Sequence, residues 1–242
     1  MKNLLIYISP DKSFNSDHKR LVKIQIDNSL SLGWKSSDII LVTNFEYEYR
    51  KIKAILIEDD VYCDFFYPTT KLYAIVRLFK KGLIEEELYW YHDFDCYELN
   101  KIIESEVKQE MGSCNVGVSN YCQRPRLCSA SIFFNNKAED VFKQMKKEID
   151  KDKINEERAL MRIYYGEDSP LREQIKMVNT TYAFHKFNII PTYKTTKKPI
   201  RVAHFHLTPD KYEFYIEGKN KLNMSLVPKR LIKIFNKHGF KR

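Results

Sequence analysis

The chain has 242 residues, 43% of them hydrophobic and 14% aromatic, which supplies a substantial core and excludes a largely disordered protein. Its formal charge is +9, yet residues 193–242 carry 13 Lys/Arg against 3 Asp/Glu, so the basic character belongs to the C-terminal segment. No apolar run reaches membrane-spanning length, and the short run from Leu4 to Ile8 meets Pro10 and Asp11 at once, unlike a secretory signal. A cytosolic protein with reduced thiols is expected, because its five cysteines contain no C-x-x-C pair.

In chain order, residues 4–8 read as a strand and residues 17–32 as a helix, with Leu21, Ile24, Gln25, Asn28 and Leu32 at helical spacing and Gly33 just beyond. Strands are expected at 39–43 and 54–57. Pro68 precedes a helix over 69–80 whose apolar stripe is Leu72, Ile75, Val76 and Phe79, and Gly82 stops it. A strand over 88–91 follows. The pattern then predicts a helix at 97–108, strands at 115–119 and 128–134, a helix opened by Asn135 and Asn136 that runs to 149, and another capped by Asn155 that runs to 165. Residues 178–206 are less regular, and a basic amphipathic helix is expected over 228–237. Strands alternating with helices imply an α/β fold with a sheet covered by helices, and no linker or repeat divides it.

The chemistry concentrates where the apolar run Tyr89-Trp90-Tyr91 passes through His92 into Asp93-Phe94-Asp95. Strand alternation aims Asp93 and Asp95 to one face and turns Phe94 into the core. Two carboxylates on one face suit a hard divalent cation, Mg2+ or Mn2+, that also takes phosphate oxygens. The seven glycines form neither G-x-G-x-x-G nor a P-loop, so a phosphate must be met by a metal ion and basic side chains. Glu156 and Glu157 open the helix capped by Asn155. A carboxylate there can act as general base toward a hydroxyl, although the helix dipole alone also favours acids at that position.

This layout resembles a GT-A nucleotide-sugar glycosyltransferase over residues 1–211. The resemblance rests on Asp93-Phe94-Asp95 as the metal motif after Lys71-Leu72-Tyr73-Ala74-Ile75-Val76-Arg77-Leu78, on Ser129 through Asp140 as the following strand-to-helix passage, and on Val202-Ala203-His204-Phe205-His206 with Lys211 beyond it. It implies a GT-A-like catalytic domain with a mixed, mostly parallel central sheet, and a basic extension over 212–242. It also implies sugar transfer from a nucleotide-diphosphate donor such as a UDP-sugar to the hydroxyl of a glycan, a lipid-linked acceptor or another anionic acceptor. Asp93 and Asp95 with His204 or His206 would hold Mn2+ or Mg2+, and Lys211, Lys71 or Arg77 would meet the diphosphate. Tyr7 and Ser9 after the first strand, and Asp59 and Asp60 after the third, are the expected contacts for base and ribose. The family's His-Phe-x-Gly-x-x-Lys arrangement is altered here: no Gly follows His204, and Lys211 lies one residue further on. Spacing does not choose between the two histidines.

Two other readings fit parts of the pattern. A phosphotransfer hydrolase also places Asp-x-Asp at a strand end, but on an earlier strand than this one. A non-enzymatic polyanion-binding or membrane-surface protein would use Lys229, Arg230, Lys233 and Lys237, which recur between Leu231, Ile234 and Phe235. That tail is compatible with an enzyme held peripherally at an anionic membrane. The charge leaves nucleic acid open as a partner, although no DNA-reading motif is present.

Overall fold

The computed structural model describes residues 1–120, 126–166, 169–185, 194–204 and 227–240. The uninterrupted apolar run near the N-terminus suits a strand covered on both faces, and it forms β1 (Lys2–Tyr7) inside a seven-stranded sheet. Its parallel neighbours are β2 (Ile39–Thr43) on one side and β6 (Tyr89–His92) on the other. Around the short hairpin of β3 (Glu48–Tyr49) and β4 (Ile52–Lys53), the chain reaches β5 (Ile55–Leu56), which pairs parallel to β2 at the sheet edge.

The first helix, α1 (Ser16–Ser31), starts where the Asn15 side chain accepts from the His18 amide, and it ends just before Gly33, which adopts φ +88. α2 (Thr70–Lys80) buries Leu72, Ala74, Ile75 and Leu78 against the sheet. After β6 the chain does not enter the helix expected over 97–108. It makes a turn and then β7 (Cys96–Glu98), and α3 runs only over Glu104–Met111. The local helical pattern yields because a distant segment, β12 (Val202–His204), pairs antiparallel with β7, and Arg201 O accepts from the amides of Leu99 and Asn100. β11 (Phe184–His185) completes this small second sheet.

The main sheet is finished by β8 (Val116–Asn120), β9 (Leu127–Phe134) and β10 (Ile175–Met177), giving the order β10-β8-β9-β6-β1-β2-β5 with β9 antiparallel to both its neighbours. α4 (Glu139–Asp152) and α5 (Glu156–Tyr165) pack with α2 on one face. α1 and the last helix, α6 (Lys229–Lys237), cover the other. The result is one domain with a mixed, mostly parallel central sheet flanked by helices. Among the described residues no helix is long and apolar enough to cross a membrane, and Cys63, Cys96, Cys114 and Cys128 are free thiols.

Candidate active site

Parallel strands present their carboxyl ends together, and a ligand crevice is expected there. A cleft of about 210 Å³ opens beyond the ends of β1 and β6, lined by Ile6, Ile8, His18, Tyr67, Pro68, Lys71, Tyr91, Asp93, Phe94 and Asp95 among others. His18, Tyr67, Tyr91 and Phe94 supply aromatic rings to its wall. Tyr7 does not line it but packs against that wall, 4.7 Å from His18, 6.2 Å from Phe94 and 4.6 Å from Phe14, centroid to centroid.

Asp93 and Asp95 both face this cleft, but strand alternation is not what aims them. The strand stops at His92, and the two acids occupy a turn closed by the Cys96 amide donating to Asp93 O at 3.0 Å. Outside the ladder the two side chains therefore find different partners. Asp93 takes the Lys71 ammonium at 2.9 and 3.0 Å and the Tyr91 hydroxyl. Asp95 instead meets His204, whose Nε2 lies 3.3 Å from its Oδ1. The turn is tethered from behind by Gln25 of α1, which donates to Phe94 O at 2.7 Å and to Cys96 O at 2.8 Å. Sequence reading placed Gln25 on the apolar stripe of α1. A buried amide in such a stripe was the available signal that backbone groups lay opposite it.

Lys71 is the electrostatic centre. It is buried at 8% exposure, on the first turn of α2, and lies between Asp93 and the Glu156 carboxylate, 3.2 Å away. Burial works against its charge, yet the two carboxylates outweigh that and raise its pKa above the usual lysine range. Glu156 also accepts from Thr69 Oγ1 at 2.9 Å and Ser129 Oγ at 3.1 Å. Desolvation would raise its pKa, but Lys71 and the hydrogen bond from Thr69 outweigh that and lower it. Burial opposes the charged form of His204 as well, but neighbouring Asp95 raises it to about 10, with a further hydrogen bond to Cys128.

The other expected residues lie apart from this group. Arg77 binds Glu58 and Asp60, each at 2.7 Å, and does not line the cleft. Asp59 accepts from Asn44 at 2.9 Å and pairs with Lys12 at 2.8 Å. Ser9 exchanges two hydrogen bonds with the Asn44 amide, of 3.0 and 2.7 Å. Glu157 takes Arg126 at 2.8 and 3.0 Å. His206 and Lys211 lie outside the described residues.

A carboxylate, an imidazole and a thiol meet at the end of β7: Asp95, Cys96 and His204 each bring a ligand atom to within 4.8 Å of the others. This donor set fits a divalent metal ion. Cys96 did not stand out in the sequence, although its place next to Asp95 was visible there.

No protein-family model matches the sequence, and no curated protein matches it. Solved structures do match the fold. The galactosyltransferase LgtC in complex with donor and acceptor sugar analogs superposes with TM-score 0.64 at 12% identity, over 98% of this chain and 96% of that one. A glycosyltransferase involved in glycosylation of the major capsid of PBCV-1 gives 0.56 at 12% identity, over 90% and 100% of the two chains. Mouse xyloside xylosyltransferase 1 gives 0.51 at 12% identity, over 84% and 96%. The fold is therefore the one these glycosyltransferases share.

Proposed function

We propose that the protein transfers a sugar from a nucleotide-diphosphate donor, a UDP-sugar being the first to test, to a hydroxyl of a saccharide or other acceptor. The observation that carries this reading is the convergence of Lys71, Asp93 and Asp95 at one cleft beyond the ends of β1 and β6, with the buried His204 in contact with Asp95, so that three separate parts of the chain meet. The glycosyltransferase fold of the structural neighbours supports it.

Breaking the bond between a sugar and a nucleoside diphosphate leaves negative charge on the diphosphate, and the site must meet that charge where it develops. Asp95 and His204 are the residues that would hold a divalent ion, which when bound supplies Lewis-acid stabilisation to the leaving diphosphate. Lys71 adds a fixed cation that cannot swing away, because Glu156 and Asp93 grip it from both sides. Glu156 has oxygens engaged by Thr69 and Ser129 and serves to position Lys71, while Glu157, held by Arg126, does not line the cleft. Phe94 and Tyr67 supply apolar surface beside the acids.

A melting-temperature panel of nucleotide sugars with Mn2+, Mg2+ or Zn2+ tests this, since a ligand held at 100 times its Kd stabilises the fold by about 2.7 kcal/mol. The expected result is a shift that needs both sugar nucleotide and ion and disappears in Asp95→Ala, while circular dichroism shows an intact fold. Absence of any shift, or undiminished donor hydrolysis by Asp95→Ala, removes the proposal.

A further inference from the structure

The pairing of β7 with β12 sets Cys96 directly opposite His204, and cross-strand partners present their side chains on the same face of a sheet. Asp95 immediately precedes Cys96, and its Oδ1 is 3.3 Å from His204 Nε2. The three ligand atoms thus come together through the register of a sheet, a rigid placement. Cys96 is completely buried and His204 nearly so, while Asp95 faces the cleft. Asp93 is not a member of this group; its carboxylate is held by Lys71 and Tyr91.

Sulfur changes what such a site selects. Mg2+ takes oxygen ligands in a near-ideal octahedron, whereas a set of one thiolate, one imidazole and one carboxylate suits borderline ions such as Zn2+. Three protein ligands with a fourth position open toward a substrate are the arrangement of catalytic zinc sites. We propose that Cys96 is a metal ligand alongside Asp95 and His204, and that this site takes a thiophilic borderline cation, Zn2+ in the first instance, in place of the Mg2+ or Mn2+ that paired carboxylates alone would favour. The inference rests on the proposed metal role of Asp95 and His204. On ligation the thiol proton and one imidazolium proton of His204 leave to solvent, the sulfur–metal and nitrogen–metal bonds form, and no oxidation state changes.

Co2+ is the probe, because a cobalt–thiolate bond gives a near-ultraviolet charge-transfer band that oxygen and nitrogen ligands do not. The full-length protein, stripped with chelator, is titrated with Co2+ and its absorption followed alongside equilibrium dialysis. The expected result is a saturable band that is lost in Cys96→Ser, retained in Cys128→Ser, and displaced by Zn2+ but not by excess Mg2+. X-ray absorption at the zinc edge gives a second readout on the unmutated chain: the Zn2+-loaded protein should show a sulfur neighbour at about 2.3 Å. Cobalt binding by dialysis with no charge-transfer band, and zinc with no sulfur neighbour, overturns the thiol ligand and leaves the ion at Asp95 and His204 standing. No cobalt or zinc binding at all overturns both.

Discussion

A lysine ammonium buried with two carboxylates is costly to desolvate, and its presence at Lys71 is tolerated only because Asp93 and Glu156 both bind it. Removing one member should therefore hurt more than removing two. Lys71→Met leaves Glu156 as an unpaired acid inside the protein and is expected to lower stability by about 3–5 kcal/mol. Adding Glu156→Gln, which stays neutral and can still bond Thr69 and Ser129, should recover part of that loss. The expected coupling is about 1–3 kcal/mol between the two changes, read from urea unfolding of the four-member mutant cycle. Strict additivity would mean the salt bridge is not a unit. Lys71 was legible in the sequence as a basic residue near the acids, but helical spacing alone did not set it apart from a solvated face. Its burial follows from α5, whose approach is a tertiary event.

At the scale of elements, the strands and helices before Asp93 were readable because each carries its own period and punctuation: Asn15 and Gly33 around α1, Pro68 and Gly82 around α2. β7 was not, because its structure is imposed by β12, more than a hundred residues away. The same long-range pairing buries Glu98, whose carboxylate accepts from Trp34 Nε1 and the Ile102 amide at 2.7 Å each. Burial nevertheless pushes its pKa up to about 7. A raised carboxylate pKa means that the folded state binds the extra proton between the ordinary value near 4.5 and about 7. Glu98 thus contributes stability that is full below pH 4.5 and lost as pH rises through 7. Trp34 bonds the ionised form most strongly, so Trp34→Phe should destabilise more at pH 8 than at pH 5. A charge-assisted hydrogen bond contributes about 1.5–3 kcal/mol, which sets the expected ceiling of that difference in melts at the two pH values. An identical loss at both would show that Trp34 matters only through packing.

For the whole molecule, the basic C-terminal helix has a use that its sequence pattern did not disclose. α6 inserts Leu231 and Phe235 into the core beside α1, and a good part of its charge is spent inward. Lys237 pairs with Asp27 at 2.5 Å, His238 Nε2 lies 2.9 Å from the same carboxylate, and Arg50 from the β3–β4 hairpin meets it at 3.1 Å. Arg230 reaches Leu99 O at 2.9 Å, while Lys229 and Lys233 remain on the exposed side. Asp27 is itself buried, and although desolvation opposes its charge, hydrogen bonds from Lys237, His238 and Arg50 hold its pKa below the ordinary carboxylate value. Its contribution is therefore present at neutral pH and lost only as pH falls through that depressed value. One side chain ties together α1, the hairpin and α6, so neutralising it should loosen the last helix without unfolding the sheet. Asp27→Asn is expected to cost about 1–2 kcal/mol, discounted because Lys237 and Arg50 are half exposed and solvent screens them. Hydrogen exchange should rise in residues 229–237 and stay unchanged in β1 and β6. If exchange in α6 does not change, the apolar anchors Leu231 and Phe235 alone hold the helix, and the positive charge of the tail is free to serve a partner instead of the fold.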